Sequence, residues 1–195
     1  MLDLLLNYPF IQNAFFSGLI IGCIAPLLGV FIVVRRLCLI ADALSHVTLA
    51  GIAGSLYLSQ SVAAFALLNP IYLGILASVT GSIFIERLRS LYKHYEELAI
   101  PIIMSAGLGL SAILISLAKG FQTDLSSYLF GSVSAVSRQD LYVVVAIALV
   151  VIVFLCLFFT ELFVLSFDEE YAKASGFPAT WVHFLFMIVV ALVSA

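Results

Sequence analysis

Six stretches of this chain are apolar for close to the length needed to cross a bilayer, and no other feature limits its fold so strongly. They run approximately from Phe10 to Val34, Ile40 to Leu58, Val62 to Ile85, Ala99 to Ala118, Leu141 to Thr160 and Ala179 to Ala195. A hydrocarbon core about 30 Å thick takes ~20 such residues as an α-helix. Each run is continuously apolar instead of alternating with a period of two, which points to helices and away from barrel strands. Composition agrees: 64% of the 195 residues are hydrophobic and 10% are charged, against about 25% charged in a typical soluble domain. Too little polar surface remains to face water, so lipid must solvate the chain. The expected fold is all-α, a polytopic transmembrane helix bundle of about six spans. It forms one domain over residues 1–195, and the last span is cut short where the sequence stops, so the domain is expected to be C-terminally incomplete.

Polar connections separate the runs, and their basic residues orient the bundle. With the N-terminus outside, Arg35, Arg36, Arg87, Arg89, Lys93 and Lys173 are cytoplasmic, leaving only Lys119 and Arg138 outside. The opposite orientation reverses that ratio. Between the fourth and fifth runs, Tyr128-Leu129-Phe130-Gly131 is too short to span and reads as a re-entrant or interfacial helix.

Several functions are excluded. A net charge of -3 leaves no basic footprint for nucleic acid. Cys23, Cys38 and Cys156 lie in or beside apolar runs without C-x-x-C spacing, so they are expected as small packed side chains. Met1 to Phe10 lacks the basic region and cleavage site of a signal peptide. Gly18-x-x-x-Gly22 and the Gly51–Gly54 cluster read as close helix packing, since no P-loop lysine accompanies them.

Chemistry concentrates in the second run, which opens Ile40-Ala41-Asp42-Ala43-Leu44-Ser45-His46-Val47. On a helix, residues four apart lie about 40° apart around the axis, so Asp42 and His46 share a face. Ionisable groups inside a span are costly and mark function by default. Carboxylate oxygen and imidazole nitrogen both ligate zinc and manganese. The spacing fits equally an Asp–His hydrogen-bonded pair that only stabilises the interior. Ser45 points elsewhere, as packing or a bond back to its own helix. A second feature, Ser166 to Pro178, reads as a short cytoplasmic amphipathic helix with acids Asp168, Glu169 and Glu170 near its start and Gly176 and Pro178 at its end. It is either a docking element or a plain solvated connection. Glu86, Arg87, Arg89, Lys93, His94, Glu96 and Glu97 read as a solvated cytoplasmic face, and His183 as a packed or interfacial histidine.

Together these segments resemble the permease subunits of bacterial zinc and manganese ABC importers. The resemblance rests on Val33 to Leu37, Ala41 to Ala53, Leu129 to Ser132 with Val136-Ser137, and Phe167 to Gly176, in the family's order. It implies that Asp42 and His46 line the translocation path and contact the metal. It also implies a coupling helix at about 166–176, with Asp168, Glu169, Glu170, Ala172 and Gly176 fitting into an ATPase subunit. The implied partners are that ABC ATPase, an extracytoplasmic metal-binding protein and a second permease copy, all at a bacterial cytoplasmic membrane. Such a chain is a transporter component and not an enzyme. It has no resident cofactor, and zinc or manganese is its substrate. Val47 to Gly51 resembles the zinc branch more. Family members continue for further spans. An ATP-independent transporter or channel would not need a docking helix, and an intramembrane metalloenzyme would want a motif such as H-E-x-x-H, which is lacking.

The orientation predicts that a cysteine placed at Lys93 in intact cells is protected from a membrane-impermeant thiol reagent. Labelling there from outside would overturn the topology.

Overall fold

The computed structural model describes residues 9–61, 69–92, 98–117, 137–167 and 179–195. It is built of helices: α1 (Pro9–Val34), α2 (Ile40–Ser61), α3 (Pro70–Leu91), α4 (Ala99–Leu117), α5 (Arg138–Phe167) and α6 (Ala179–Ser194). Each falls on one of the six apolar runs, and α1, α3, α4 and α5 are long and apolar enough to cross a membrane. α2 has 22 residues but is more polar, because Asp42, Ser45, His46 and Thr48 crowd its first turns. α6 has 16 residues within this sequence.

Two helix starts are sharper than the apolar pattern suggested. The third run was expected to begin at Val62, yet α3 starts at Pro70. Asn69 is its N-cap in an extended conformation, its side chain accepting from the Ile71 N–H at 3.1 Å. Pro70 then sits in the first turn, where a missing N–H costs nothing. At the start of α5, Ser137 and Asp140 form a reciprocal capping box. The Ser137 N–H donates to Asp140 Oδ2 at 2.9 Å, and the Asp140 N–H to Ser137 Oγ at 3.2 Å.

The helices fall into two compact units. The first, within residues 1–35 and 122–177, holds α1 and α5. These pack through Ile24, Leu28 and Phe31 on α1 and Val151, Phe154 and Leu162 on α5, all buried. Phe31 meets Phe159 edge-on with ring centroids 6.0 Å apart. Pro26 inside α1 cannot donate to the Gly22 carbonyl, a loss that membrane helices tolerate. α5 runs 30 residues, about 45 Å at helical rise and longer than the hydrocarbon core is thick. It kinks at Phe158 (φ -113°, ψ 17°), close to where the expected span ends at Thr160.

The second unit, within residues 36–121 and 178–195, holds α2, α3, α4 and α6. α2 packs against both α3 and α4, and α6 lies against α3. Glycines set the spacing. A Cβ on Gly51 would stand 2.5 Å from Ala77 Cβ and 2.7 Å from the Leu73 carbonyl oxygen. One on Gly74 would stand 2.9 Å from Ile52 Cγ1. Val47 wedges between the other two helices: a Cβ on Gly81 would meet its Cγ1 at 2.9 Å, and one on Gly107 its Cγ2 at 3.0 Å. This is close backbone approach through small residues, the packing available where lipid removes the hydrophobic drive between helices. Hydroxyls supplement it. Ser78 Oγ donates across the helix interface to the Ala191 carbonyl at 2.9 Å.

Outward faces are apolar, as lipid requires. Phe84, Leu149 and Leu157 are exposed, and so are all three cysteines, which are free thiols. That corrects the expectation of packed cysteines: for Cys23 in α1 and Cys156 in α5 an outward face in lipid suits a small apolar side chain as well as the interior does, and Cys38 lies in the connection before α2.

Gly51→Leu should therefore destabilise the purified protein in detergent by about 1–3 kcal/mol, the usual cost of overpacking, read as a fall in Tm. A Cβ on Gly18 in α1 meets nothing within 4 Å. Gly18→Ala should leave Tm unchanged or raise it slightly.

Candidate metal centre

The first turns of α2 sort their side chains by face. Ile40, Ala43 and Leu44 are fully buried and anchor the helix. Ser45 Oγ donates back to the Ala41 carbonyl at 2.9 Å and lies 3.3 Å from the Ser194 carbonyl of α6. Thr48 Oγ1 donates to the Leu44 carbonyl at 2.9 Å. Asp42 and His46 take another face together. Just before α2, Arg36 adopts a left-handed φ of 57°, rare for a side chain with a Cβ, and Ile40 N–H bonds the Leu37 carbonyl at 2.9 Å.

Asp42 Oδ1 and His46 Nε2 are 3.7 Å apart. That exceeds hydrogen-bond reach. Two ligands held at about 2.1 Å from one ion across a tetrahedral angle stand roughly 3.4 Å apart, so a small rotation brings the pair onto a shared cation. The pair is open: the Asp42 side chain is 62% exposed and His46 32%. Both were expected within the span, yet Asp42 sits in the first turn of α2, where a carboxylate also complements the helix dipole. Among the described residues no group of three or more His, Cys, Asp and Glu side chains gathers. The pair thus offers two ligands and leaves the other coordination positions to water or other groups. Gly107 brings α4 against this turn, since a Cβ there would stand 3.2 Å from the His46 carbonyl carbon.

A second ionic cluster was missed in the sequence. Glu86 and Arg89, expected on a solvated face, are largely covered, at 24% and 18% exposed, and His183 of α6 at 12%. His183 Nε2 lies 2.7 Å from Glu86 Oε2 and 3.0 Å from Arg89 Nη1, and Arg89 Nη1 lies 3.6 Å from Glu86 Oε2. The i,i+3 spacing of Glu86 and Arg89 was visible, but nothing local tied them to a histidine 94 residues on from Arg89. The expected coupling residues Asp168, Glu169, Glu170, Ala172 and Gly176 lie outside the described residues, as does the Tyr128–Gly131 stretch.

A multi-pass helical membrane protein with an open carboxylate–imidazole pair at the start of its second helix is the class that fold and site define together. The chain belongs to the ABC 3 transport family, whose sequence model matches residues 7–195. It is similar to the manganese transport system membrane protein MntC of Halalkalibacterium halodurans, at 33% identity over 98% of this chain and 63% of that protein. It is also similar to the manganese import system permease protein ScaB of Streptococcus gordonii, at 36% identity over 96% and 64%. Among solved structures, PsaBC from Streptococcus pneumoniae in complex with Fab contains a chain that superposes with a TM-score of 0.80 at 33% identity. That match covers 99% of this chain and 66% of the other. The chain therefore spans about two thirds of the length of the relatives it matches.

Proposed function

We propose that this chain is the membrane-spanning permease part of an ATP-driven importer that carries a divalent metal ion into a bacterial cell, with Asp42 and His46 contacting the ion. The observation that carries the reading is the 3.7 Å separation of Asp42 Oδ1 and His46 Nε2 on one turn of α2. Two protein ligands suit transport, because a site that must release its ion cannot close around it as a structural zinc site does with four. Oxygen and nitrogen donors serve zinc and manganese alike. The names of the relatives weigh toward manganese, and the Val47–Gly51 tract toward zinc. Binding needs His46 neutral and Asp42 ionised, so it weakens in acid.

The rest of the machine accords with the same reading. The N-terminus lies outside the bacterial cytoplasmic membrane, and the segment about 166–176 couples to a separate ATPase through Asp168, Glu169, Glu170, Ala172 and Gly176. An extracytoplasmic binding protein delivers the ion, and a second permease copy completes the path. ATP is hydrolysed by the partner, and this chain performs no covalent chemistry.

Asp42→Asn and His46→Ala should each weaken manganese or zinc binding by more than the 10–100-fold typical of losing an outer-shell partner, with normal membrane insertion. Uptake should fall with it. If the pair were only structural, the neutral double variant Asp42→Asn/His46→Gln would transport nearly normally, and that result would remove the ligand assignment. For the coupling segment, Glu170→Lys or a bulky residue at Gly176 should separate ATP hydrolysis from uptake while the protein stays in the membrane. Unchanged hydrolysis and uptake in both variants would remove the docking assignment, and uptake without any ATPase would replace the importer reading with an ion-gradient transporter.

A further inference from the structure

The Glu86–Arg89–His183 cluster lies apart from the metal pair, and its geometry holds a conflict. His183 Nε2 is within hydrogen-bond reach of the Glu86 carboxylate, 2.7 Å away, and of the Arg89 guanidinium, 3.0 Å away. A carboxylate oxygen accepts and a guanidinium only donates. One ring nitrogen can donate to Glu86 or accept from Arg89, but not both. Two arrangements would resolve the conflict. In one, the ring proton is on Nε2 and donates to Glu86, while Arg89 pairs with the same carboxylate. In the other, the ring proton is on Nδ1, and Nε2 accepts from Arg89 while Glu86 turns away.

Among the described residues the cluster offers a cation one carboxylate and one imidazole, beside a guanidinium that repels it. Helix-to-helix adhesion does not explain the cluster either, because well-packed apolar side chains hold two helices as firmly as a partly buried ion pair.

Position supplies the role. His183 is in the second turn of α6, whose first residue, Ala179, comes just after the segment proposed to couple to the ATPase. Glu86 and Arg89 lie in the last turns of α3, and α3 meets α2 through Gly51, Gly74 and Gly81 at distances that leave no slack. We propose that Glu86, Arg89 and His183 form a two-position link that passes movement of the incoming connection through α6 to α3, and so to the helix carrying Asp42 and His46. These are positioning residues and do not touch the ion. A discrete two-state element packed into both ends is what long-range coupling physically requires. The inference rests on the permease reading.

The test uses the transporter reconstituted with its ATPase in liposomes, reading metal moved per ATP hydrolysed. Glu86→Leu/His183→Leu removes the switch and leaves the largely covered Arg89 without its carboxylate, so its Tm should fall. This variant should keep its metal affinity and lose about fivefold or more in metal per ATP, the lower range of coupling between linked sites. Arg89→Gln leaves His183 and Glu86, 2.7 Å apart, in place and exchanges the charged competing donor for a shorter neutral one. It should lower the same ratio, which covers the case where the double variant fails to fold. The exchange Glu86→His/His183→Glu should restore part of the ratio that either single change loses. A wild-type ratio in the leucine double variant or in Arg89→Gln would overturn the link while leaving the permease reading intact. Absence of ATP-dependent uptake in the unaltered protein would overturn both.

Discussion

The approach of α2 to α3 and α4 is the contact on which the second unit depends. At Gly51 an added Cβ would fall 2.7 Å from a backbone carbonyl oxygen, a group that cannot swing aside. Gly74 and Gly81 give α3 the same intimacy, and Gly107 gives it to α4. With backbones this near, dispersion and weak Cα–H contacts replace the hydrophobic drive that lipid removes. The result fixes the rotation of α2 about its axis. Val47 cannot leave the cleft between Gly81 and Gly107, so the residues on either side of it must point where they do. Asp42 and His46 owe their shared face to helical spacing, but their placement in the unit comes from Val47 and the glycines.

Much of this was legible in the residues and some was not. Apolar runs long enough to span revealed the helical membrane class, because continuously apolar segments satisfy their backbone groups in lipid only as helices. Asp42 and His46 could be paired from spacing alone, since periodicity is local information. Boundaries were harder. Val62 to Leu68 is as apolar as the first turns of α3, and only Asn69-Pro70 marks where that helix begins, through a cap and a ring that hydropathy does not register. Ser137 and Asp140 make a similar mark at α5. Contacts between distant helices could not be read at all. Glu86 and Arg89 look like surface charges until α6 is laid beside α3 and His183 covers them. Exposure was misjudged in the other direction at Asp42 and at the cysteines, because sequence within a run does not say which side meets lipid.

Polar groups elsewhere in the unit obey one economy. Thr48, Ser82 and Ser111 bond carbonyls three or four residues back in their own helices, and each is buried. Such back-bonds satisfy a hydroxyl in an apolar setting without calling on another helix. Ser78, four residues after Gly74 on the same buried face of α3, instead crosses to α6, and Ser45 of α2 approaches the Ser194 carbonyl of that helix. α3 is thereby held twice, by shape against α2 and by a hydrogen bond against α6.

The polarity of α2 bears on how the protein is made. A helix that carries Asp42, His46 and several hydroxyls partitions less readily into lipid by itself, although Asp42 in the first turn costs less than the about 2.5–3.5 kcal/mol of an aspartate at the centre of a span. α3 comes next in the chain, is apolar enough to cross, and presents the surface that Gly51 fits. Synthesis delivers the polar helix first and its shelter second. Insertion of the two together as a hairpin spares α2 a stage alone in lipid.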